Sequence, residues 1–349
     1  MTRGSCQQKR SENVSTQKAK AVKSNKKKCQ PSLNPQYEKS AVILEGADAP
    51  CVHVSSPKKQ NNVAESNLVE ISSTHSPAQT PPSNHLWGPC NVWAETTGHK
   101  KSKYFQLKHP RIQPNTRSIL IDWLMEVSEA YTLHRQTFYL AQDYFDRFML
   151  TQKNIEKGLV QLIGVTCLFI AAKMEEACPP KLSEMAYVTA QTYYEDEILE
   201  MEMLILKALK WNLFPETAVS WLQLYFQMVS MNPNSDLMKP QFPQDTYVQM
   251  TKLLDLCIID IKSMDFEYRV LAASVLSNFV QQSTVEKVSG LSKDVLQPCL
   301  NWMAPFMKAA QLFGKVPLKD FKNVKSEDRH NIQTHTDYLS MQLIACKDQ

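Results

Sequence analysis

From about residue 104 onward, apolar residues recur at three- and four-residue intervals, the spacing that gathers them on one face of a helix. That period predicts helices near 115–131, 135–149, 157–176, 181–188 and 195–210, then a second set near 216–230, 244–262, 266–281 and 294–313. Turn signals separate the first set: Leu133-His134, Gln152-Lys153-Asn154, Pro179-Pro180 and Gln191-Thr192. No stretch alternates convincingly as a half-buried strand would. The expected fold class is all-α, in two consecutive groups of about five helices, each group about 100 residues long. Residues 1–84 show no sustained period and are rich in Ser, Gln, Asn, Lys and Pro, so a disordered tail is expected there.

Two stretches break the ordinary amphipathic pattern. Between Ile119 and Val127 seven of nine residues are apolar, Asp122 and Glu126 being the exceptions. A surface helix needs only one apolar stripe. This helix is therefore either central to a core, or buried on one face and kept for a partner on another. Trp123 and Glu126, three apart, share a face with Ile119 and Leu120, and a large ring beside a carboxylate fits a peptide-docking groove. The second stretch is the end of the run Leu162–Ala172, where Lys173, Glu175 and Glu176 precede Pro179-Pro180. The prolines stop the helix. Two carboxylates are left at its carbonyl end, which the helix dipole already makes negative. Nothing local neutralises them, so this end reads as a surface built to meet a partner.

Two charge pairs have the same separation. Arg117 and Asp146 lie 29 residues apart, and so do Lys173 and Glu202. All four sit at or beside apolar helical faces. They are either ion pairs or unrelated solvated charges; a buried pair would cost about 3–5 kcal/mol to break.

Composition narrows the function. The chain is 43% hydrophobic and 21% charged, enough to bury a sizeable core. Residues 1–100 hold 13 of the 39 Lys and Arg but only 7 of the 35 Asp and Glu, so the helical remainder is slightly acidic. That argues against a nucleic-acid-binding core. Nine scattered cysteines without a CxxC pair read as reduced intracellular thiols, with neither a disulfide frame nor a zinc site. No apolar signal segment opens the chain, and the run at 162–172 is short of a membrane span, so no membrane association is expected. Glycine-rich phosphate loops, GxSxG, HExxH and DxDxDG are absent, and His330 and His335 are five apart, off a common helical face. No enzymatic activity, cofactor or metal is expected. In the tail, Lys18, Lys20, Lys23 and Lys26–Lys28 form either a solvated run or a nuclear-import signal, and Ser56, Ser76 and Thr80, each followed by proline, are candidate phosphorylation sites.

The segments TRSILIDWLMEVSEAYTLHRQTFYLAQDYFDRFML, LIGVTCLFIAAKMEEACPPKLSEMAYVT and DEILEMEMLILKALKW, in this order, resemble the cyclin box. TFYLAQDYFDRFMLTQK, KLLDLCIID, VSGL and EDRHNIQTHTDYL are similar to the E-type, G1/S branch of that family. The resemblance covers about 85–345. It implies a disordered tail over 1–84, an N-terminal helix or linker over 85–103, cyclin boxes over 104–212 and 213–330, and a short C-terminal tail over 331–349.

The resemblance further implies a non-catalytic subunit that binds and activates a cyclin-dependent serine/threonine kinase at the G1/S transition. It places the molecule in the nucleus, with cytoplasm and centrosome as further locations. Lys173 and Glu202 match the family's kinase contact, with Ile170, Met174, Leu206 and Leu213 its apolar surround. Ile119, Leu120, Trp123, Glu126, Val160 and Gln161 match the groove that docks Arg-x-Leu peptides of substrates and inhibitors, Glu126 meeting the arginine and Trp123 the leucine. Arg117 and Asp146 match an internal structural pair.

Thr116 and Val160 stand where methionine and leucine are usual, and Cys178 where an aromatic is usual. The first two changes are expected to weaken peptide docking; a cyclin-fold interaction protein with weakened activation or docking is the alternative. No Thr-Pro-Pro degron of the E-type pattern follows the boxes, from which a longer lifetime is expected.

Overall fold

The computed structural model describes residues 100–231, 243–315 and 317–347. The expectations for the tail, its basic run, Ser56, Ser76 and Thr80, and almost all of the 85–103 segment lie outside these residues. Among the described residues the elements are helices. They are α1 (Lys101–Lys108), α2 (Pro114–Ala130), α3 (Arg135–Thr151), α4 (Val160–Glu175), α5 (Leu182–Val188), α6 (Glu195–Ala208), α7 (Ala218–Ser230), α8 (Gln244–Ile259), α9 (Tyr268–Ser277), α10 (Gln282–Ser289), α11 (Lys293–Leu312) and α12 (Tyr338–Lys347). Single 3-10 turns precede α4, follow α8 and fall at Arg329–Asn331.

Local chemistry explains several boundaries. Pro114 opens α2, where its missing N–H is no loss. Thr217 caps α7, its hydroxyl accepting from the Ser220 N–H at 3.2 Å. Asp260 ends α8 and turns the chain, its carboxylate accepting from the Lys262 N–H at 2.7 Å. Gly290 ends α10 with φ of 67°, a left-handed cap that favours glycine.

The two groups of five helices, α2–α6 and α7–α11, are each built around their third helix. In α4 every residue from Val160 to Ala172 is buried, against α3, α6 and α2. In α9 every residue from Val270 to Leu276 is buried, against α7, α11 and α8. Lys157–Glu175, counting the 3-10 turn, is by length and composition apolar enough to cross a membrane, longer than the sequence run indicated; here it is mostly buried inside the protein as a core helix. Gly164 makes that burial tight: a Cβ there would lie 2.6 Å from Leu120 Cδ1, so the glycine lets α2 and α4 approach closely.

α12 corrects the expectation of a C-terminal tail over 331–349. Tyr338, Met341 and Ala345 are buried, and the helix packs on α11, α8 and α2. α10 and α12 were not expected from the periodicity. α10 buries only Val285. α12 is apolar on several sides, which blurs its period; Asp337 caps it, its carboxylate accepting from the Ser340 N–H at 3.2 Å.

A polar seam joins the two groups. The Arg117 guanidinium donates to both Asp146 oxygens at 2.7 Å, and to the Ile258 and Ile259 carbonyls at 3.0 and 3.1 Å. Ser118 donates to the same Ile259 carbonyl at 3.0 Å. Asp255, fully buried, accepts from Tyr139 at 2.7 Å and from Arg135, Gln333 and Tyr338 at 3.0 Å each. Tyr268 donates to Asp143 at 2.9 Å, and Arg147 to the same carboxylate at 2.7 Å. These carboxylates are tolerated in the interior because they are met by several donors each.

Candidate functional site: a half-exposed ion pair and an acidic helix

α4 delivers Lys173 from its last turn, and α6 delivers Glu202 from its interior. The two side chains form an ion pair. The Lys173 ammonium also lies over the Phe169 ring, 4.2 Å from its centroid, one turn back on α4. The lysine side chain is 39% exposed and the glutamate 11%. Ile170, Leu206 and Leu213 are buried beside them and Met174 is half-buried.

The apolar surface at this site is larger than the sequence reading had it. On α6, Leu199 and Met203 are exposed, four residues apart and on the side of Leu206. After α6, Lys210 and Trp211 adopt φ of 52° and 58°, a left-handed pair that ends the helix and turns Trp211 out to solvent. Phe214 is 81% exposed. The link is held from below: Tyr144 donates to the Leu213 carbonyl at 2.6 Å and Arg147 to the Asn212 carbonyl at 2.8 Å. Two aromatics in a turn just before Pro215 were the signal that a helical-period reading passes over.

Glu176 does not behave as the sequence suggested. Its carboxylate accepts from the His134 backbone N–H at 2.8 Å, the His134 ring at 2.7 Å and the Thr137 hydroxyl at 2.5 Å. It therefore neutralises the opening turn of α3, where carboxylates are favoured, and is not a free charge at the end of α4. Burial alone would raise this carboxyl, but the bonds from His134 and Thr137 outweigh it and hold it below the usual range. Glu175 is the member of the pair that stays exposed.

Of the six groove positions, α2 supplies Ile119, Leu120, Trp123 and Glu126, and the start of α4 supplies Val160 and Gln161. Leu120, Trp123, Val160 and Gln161 are buried; Ile119 and Glu126 are half-buried. The Trp123 Nε1 and both polar atoms of the Gln161 amide are enclosed without a hydrogen-bond partner. Thr116 is buried too, so the substitutions at 116 and 160 fall in packing between helices and take little from exposed surface.

Beside the groove, Asp122, Glu126 and Glu129 line one face of α2. Burial raises the Asp122 and Glu126 carboxyls, and neighbouring carboxylates add to it. The segment that leads into α12 crosses this face. His335 Nε2 lies 3.1 Å from Asp122 Oδ1, the His335 backbone N–H donates to Glu129 at 2.6 Å, and Lys319 donates to both Glu129 oxygens at 2.6 and 2.8 Å.

Residues 91–214 match the family profile described as "Cyclin, N-terminal domain", and residues 217–338 that described as "Cyclin, C-terminal domain". The chain belongs to the cyclin family, as two consecutive cyclin domains. Its relatives are of the E type. A protein of Danio rerio named G1/S-specific cyclin-E1 is 53% identical over 232 residues, which are 66% of this chain and 57% of that protein. The protein of that name in Gallus gallus is 51% identical over 69% of this chain and 59% of its own length. That of Rattus norvegicus is 42% identical over 90% of this chain and 77% of its own. The chain thus spans under two thirds of the first two relatives.

Proposed function

We propose that this chain is a non-catalytic regulatory subunit that binds and activates a cyclin-dependent serine/threonine kinase and promotes the G1/S transition. The observation that carries the proposal is the Lys173–Glu202 pair set in exposed apolar surface. The lysine of this pair is over a third exposed, and solvent screening there keeps the pair's worth to its own fold small. Its groups can therefore turn from each other to a partner's backbone at little cost to the fold. Lys173 would donate to carbonyls at the end of the kinase's regulatory helix, and Glu202 would accept from its amides. The apolar residues around them would press the helix inward and complete the kinase's own lysine–glutamate pair. The relatives' printed names support the G1/S assignment. The basic run Lys18–Lys28 supports a nuclear location.

We also infer that the α2–α4 face docks Arg-x-Leu peptides. Enclosed polar atoms without partners are uncommon, and those of Trp123 and Gln161 fall together in the groove set, where a peptide backbone would satisfy them. The burial of Leu120, Trp123, Val160 and Gln161 favours a second reading of this face, a groove that docks weakly.

Mixing the purified chain with a monomeric cyclin-dependent kinase and a histone-type substrate tests the main proposal. Stoichiometric binding and stimulated phosphorylation are expected. A chain that neither binds nor stimulates overturns it.

A further inference from the structure

α1 is held on the protein by a contact from far along the chain. Its N-cap, Lys100, makes no side-chain capping bond, and its first turn has no acidic residue. The cap comes instead from Asp265, at the end of the 3-10 turn that follows α8. One Asp265 oxygen accepts from the Ser102 backbone N–H at 2.9 Å and the other from the Ser102 hydroxyl at 2.7 Å. Ser102 is 7% exposed, and Phe105, one turn on, is fully enclosed. α1 has eight residues, and a helix that short does not persist in water by itself. It is therefore a helix while it is docked. At its other end the His109 ring accepts from the Ile155 N–H at 3.2 Å through Nδ1 and donates to the Met149 carbonyl at 2.8 Å through Nε2, and Lys108 donates to the Leu150 carbonyl. Docked α1 thus pins the turn between α3 and α4, the turn that leads to Val160 and Gln161.

We propose that Ser102 is a phosphorylation site and that its phosphate undocks α1. Lys100 and Lys101 precede the serine and Lys103 follows it. Lysine on both sides of a serine is a charge pattern that a kinase with an acidic substrate cleft selects, unlike the proline-directed candidates of the tail. When α1 lifts, the Ser102 hydroxyl oxygen attacks the γ-phosphorus of ATP. The bond from that phosphorus to the β,γ-bridging oxygen breaks, ADP leaves, and the hydroxyl proton passes to the catalytic aspartate of the modifying kinase. A group that donated to Asp265 is then replaced by one with about −1.5 to −2 charges that presents acceptor oxygens. An anion in the first turn of a helix is ordinarily favoured, but Asp265 already fills that place. Its surroundings are acidic as well: burial lowers the pKa of the neighbouring Lys101, and Asp143, Asp146, Glu267 and Asp265 act against that lowering. Phosphate and carboxylate cannot share the start of α1 without repulsion, so the helix leaves, and the links from Lys108 and His109 to the end of α3 leave with it.

The test places phosphoserine at position 102 of the full chain by genetic code expansion and follows amide hydrogen exchange by mass spectrometry. Exchange across Lys103–His109 should accelerate by about tenfold or more over the unmodified chain, and across Gln152–Ile155 by less, while α9 keeps its protection. Ser102→Ala loses the hydroxyl bond but adds no charge, and should accelerate exchange in α1 by about threefold or less. In an Asp265→Asn background the phosphate should add little further acceleration, because the repelling carboxylate is gone. Unchanged exchange in the phosphoserine chain overturns the proposal, and so does an equal acceleration with and without the Asp265 carboxylate. Incubation of the unmodified chain with ATP and the catalytic domain of protein kinase C should place phosphate on Ser102, and faster in Asp265→Asn, where α1 is less firmly held. Absence of phosphate from Ser102 in both chains removes the residue as a modification site.

Discussion

Arg117–Asp146 and Lys173–Glu202 are the same chemistry at the same separation of 29 residues, in opposite surroundings. The Arg117 side chain is wholly enclosed, with its guanidinium shared among a carboxylate and two carbonyls of the second helical group. Burial works against its charge, and Asp146 more than offsets that. The Lys173 side chain is over a third exposed and shares its charge with one carboxylate and one aromatic face. A pair whose hydrogen-bonding capacity is used up inside the protein can only hold the fold together. A pair with capacity left over, at the edge of apolar surface, is available to a partner. The two pairs thus differ in enclosure: the Arg117 side chain is wholly buried, and that of Lys173 is 39% exposed.

The largest expected effect is on the buried pair. Arg117→Ala leaves Asp146 uncompensated in the interior and removes donors from the Ile258 and Ile259 carbonyls. It should cost about 3–5 kcal/mol of stability. Arg117→Met combined with Asp146→Leu should cost clearly less, because no charge is stranded. Urea denaturation of the three proteins checks this; equal losses for the single and double variants would erase the distinction between stranding a charge and losing a bond.

The exposed pair should respond in the reverse way. Lys173→Ala and Glu202→Ala should each cost clearly less stability than Arg117→Ala, because the Lys173 side chain is 39% exposed and water reaches the pair. Each should nevertheless weaken kinase binding at least tenfold, as expected of a central interface contact. Calorimetric titration with the monomeric kinase, beside a denaturation curve, separates the two quantities. Normal affinity in both variants would remove the pair from the interface.

How far the sequence carried this contrast depends on the range of the contacts. The helices around Ile119–Val127 and Leu162–Ala172 were legible because each is dense in apolar residues at helical spacing, and Gln152-Lys153-Asn154 and Pro179-Pro180 bracket the second. The two pairs were legible as spacings, but nothing in a spacing says which is enclosed. That is decided by α8, whose carbonyls reach Arg117 from more than 140 residues away. Asp255 was illegible for the same reason: its donors come from α3, α12 and the segment that leads into α12. Glu176 was misread because a helix end was judged against its own dipole alone. The helix it serves is α3, whose start lies 42 residues earlier in the chain.

The smallest expected effect concerns that same carboxylate, in a pair about as exposed as Lys173–Glu202. The hydrogen bond to Glu176 raises the His134 imidazole above its ordinary 6.5, against the lowering by burial. A raised base stabilises the fold fully below 6.5 and loses that contribution as pH climbs through its folded value. Glu176, held below its ordinary 4.5, stabilises fully above 4.5 and loses its share as pH falls through its own folded value. The pair should therefore contribute most between about pH 4.5 and 6.5, and progressively less toward alkaline pH. The His134 side chain is 46% exposed, so solvent screening keeps the difference under about 1 kcal/mol. Denaturation of the unaltered chain and of His134→Gln from pH 5 to 9 should show a gap that is widest near pH 5.5 and narrows as the imidazole loses its proton. A gap of constant width would mean that the neutral ring holds Glu176 as well as the charged one does. The backbone N–H of His134 and the Thr137 hydroxyl would then be what anchors the end of α4 to the start of α3.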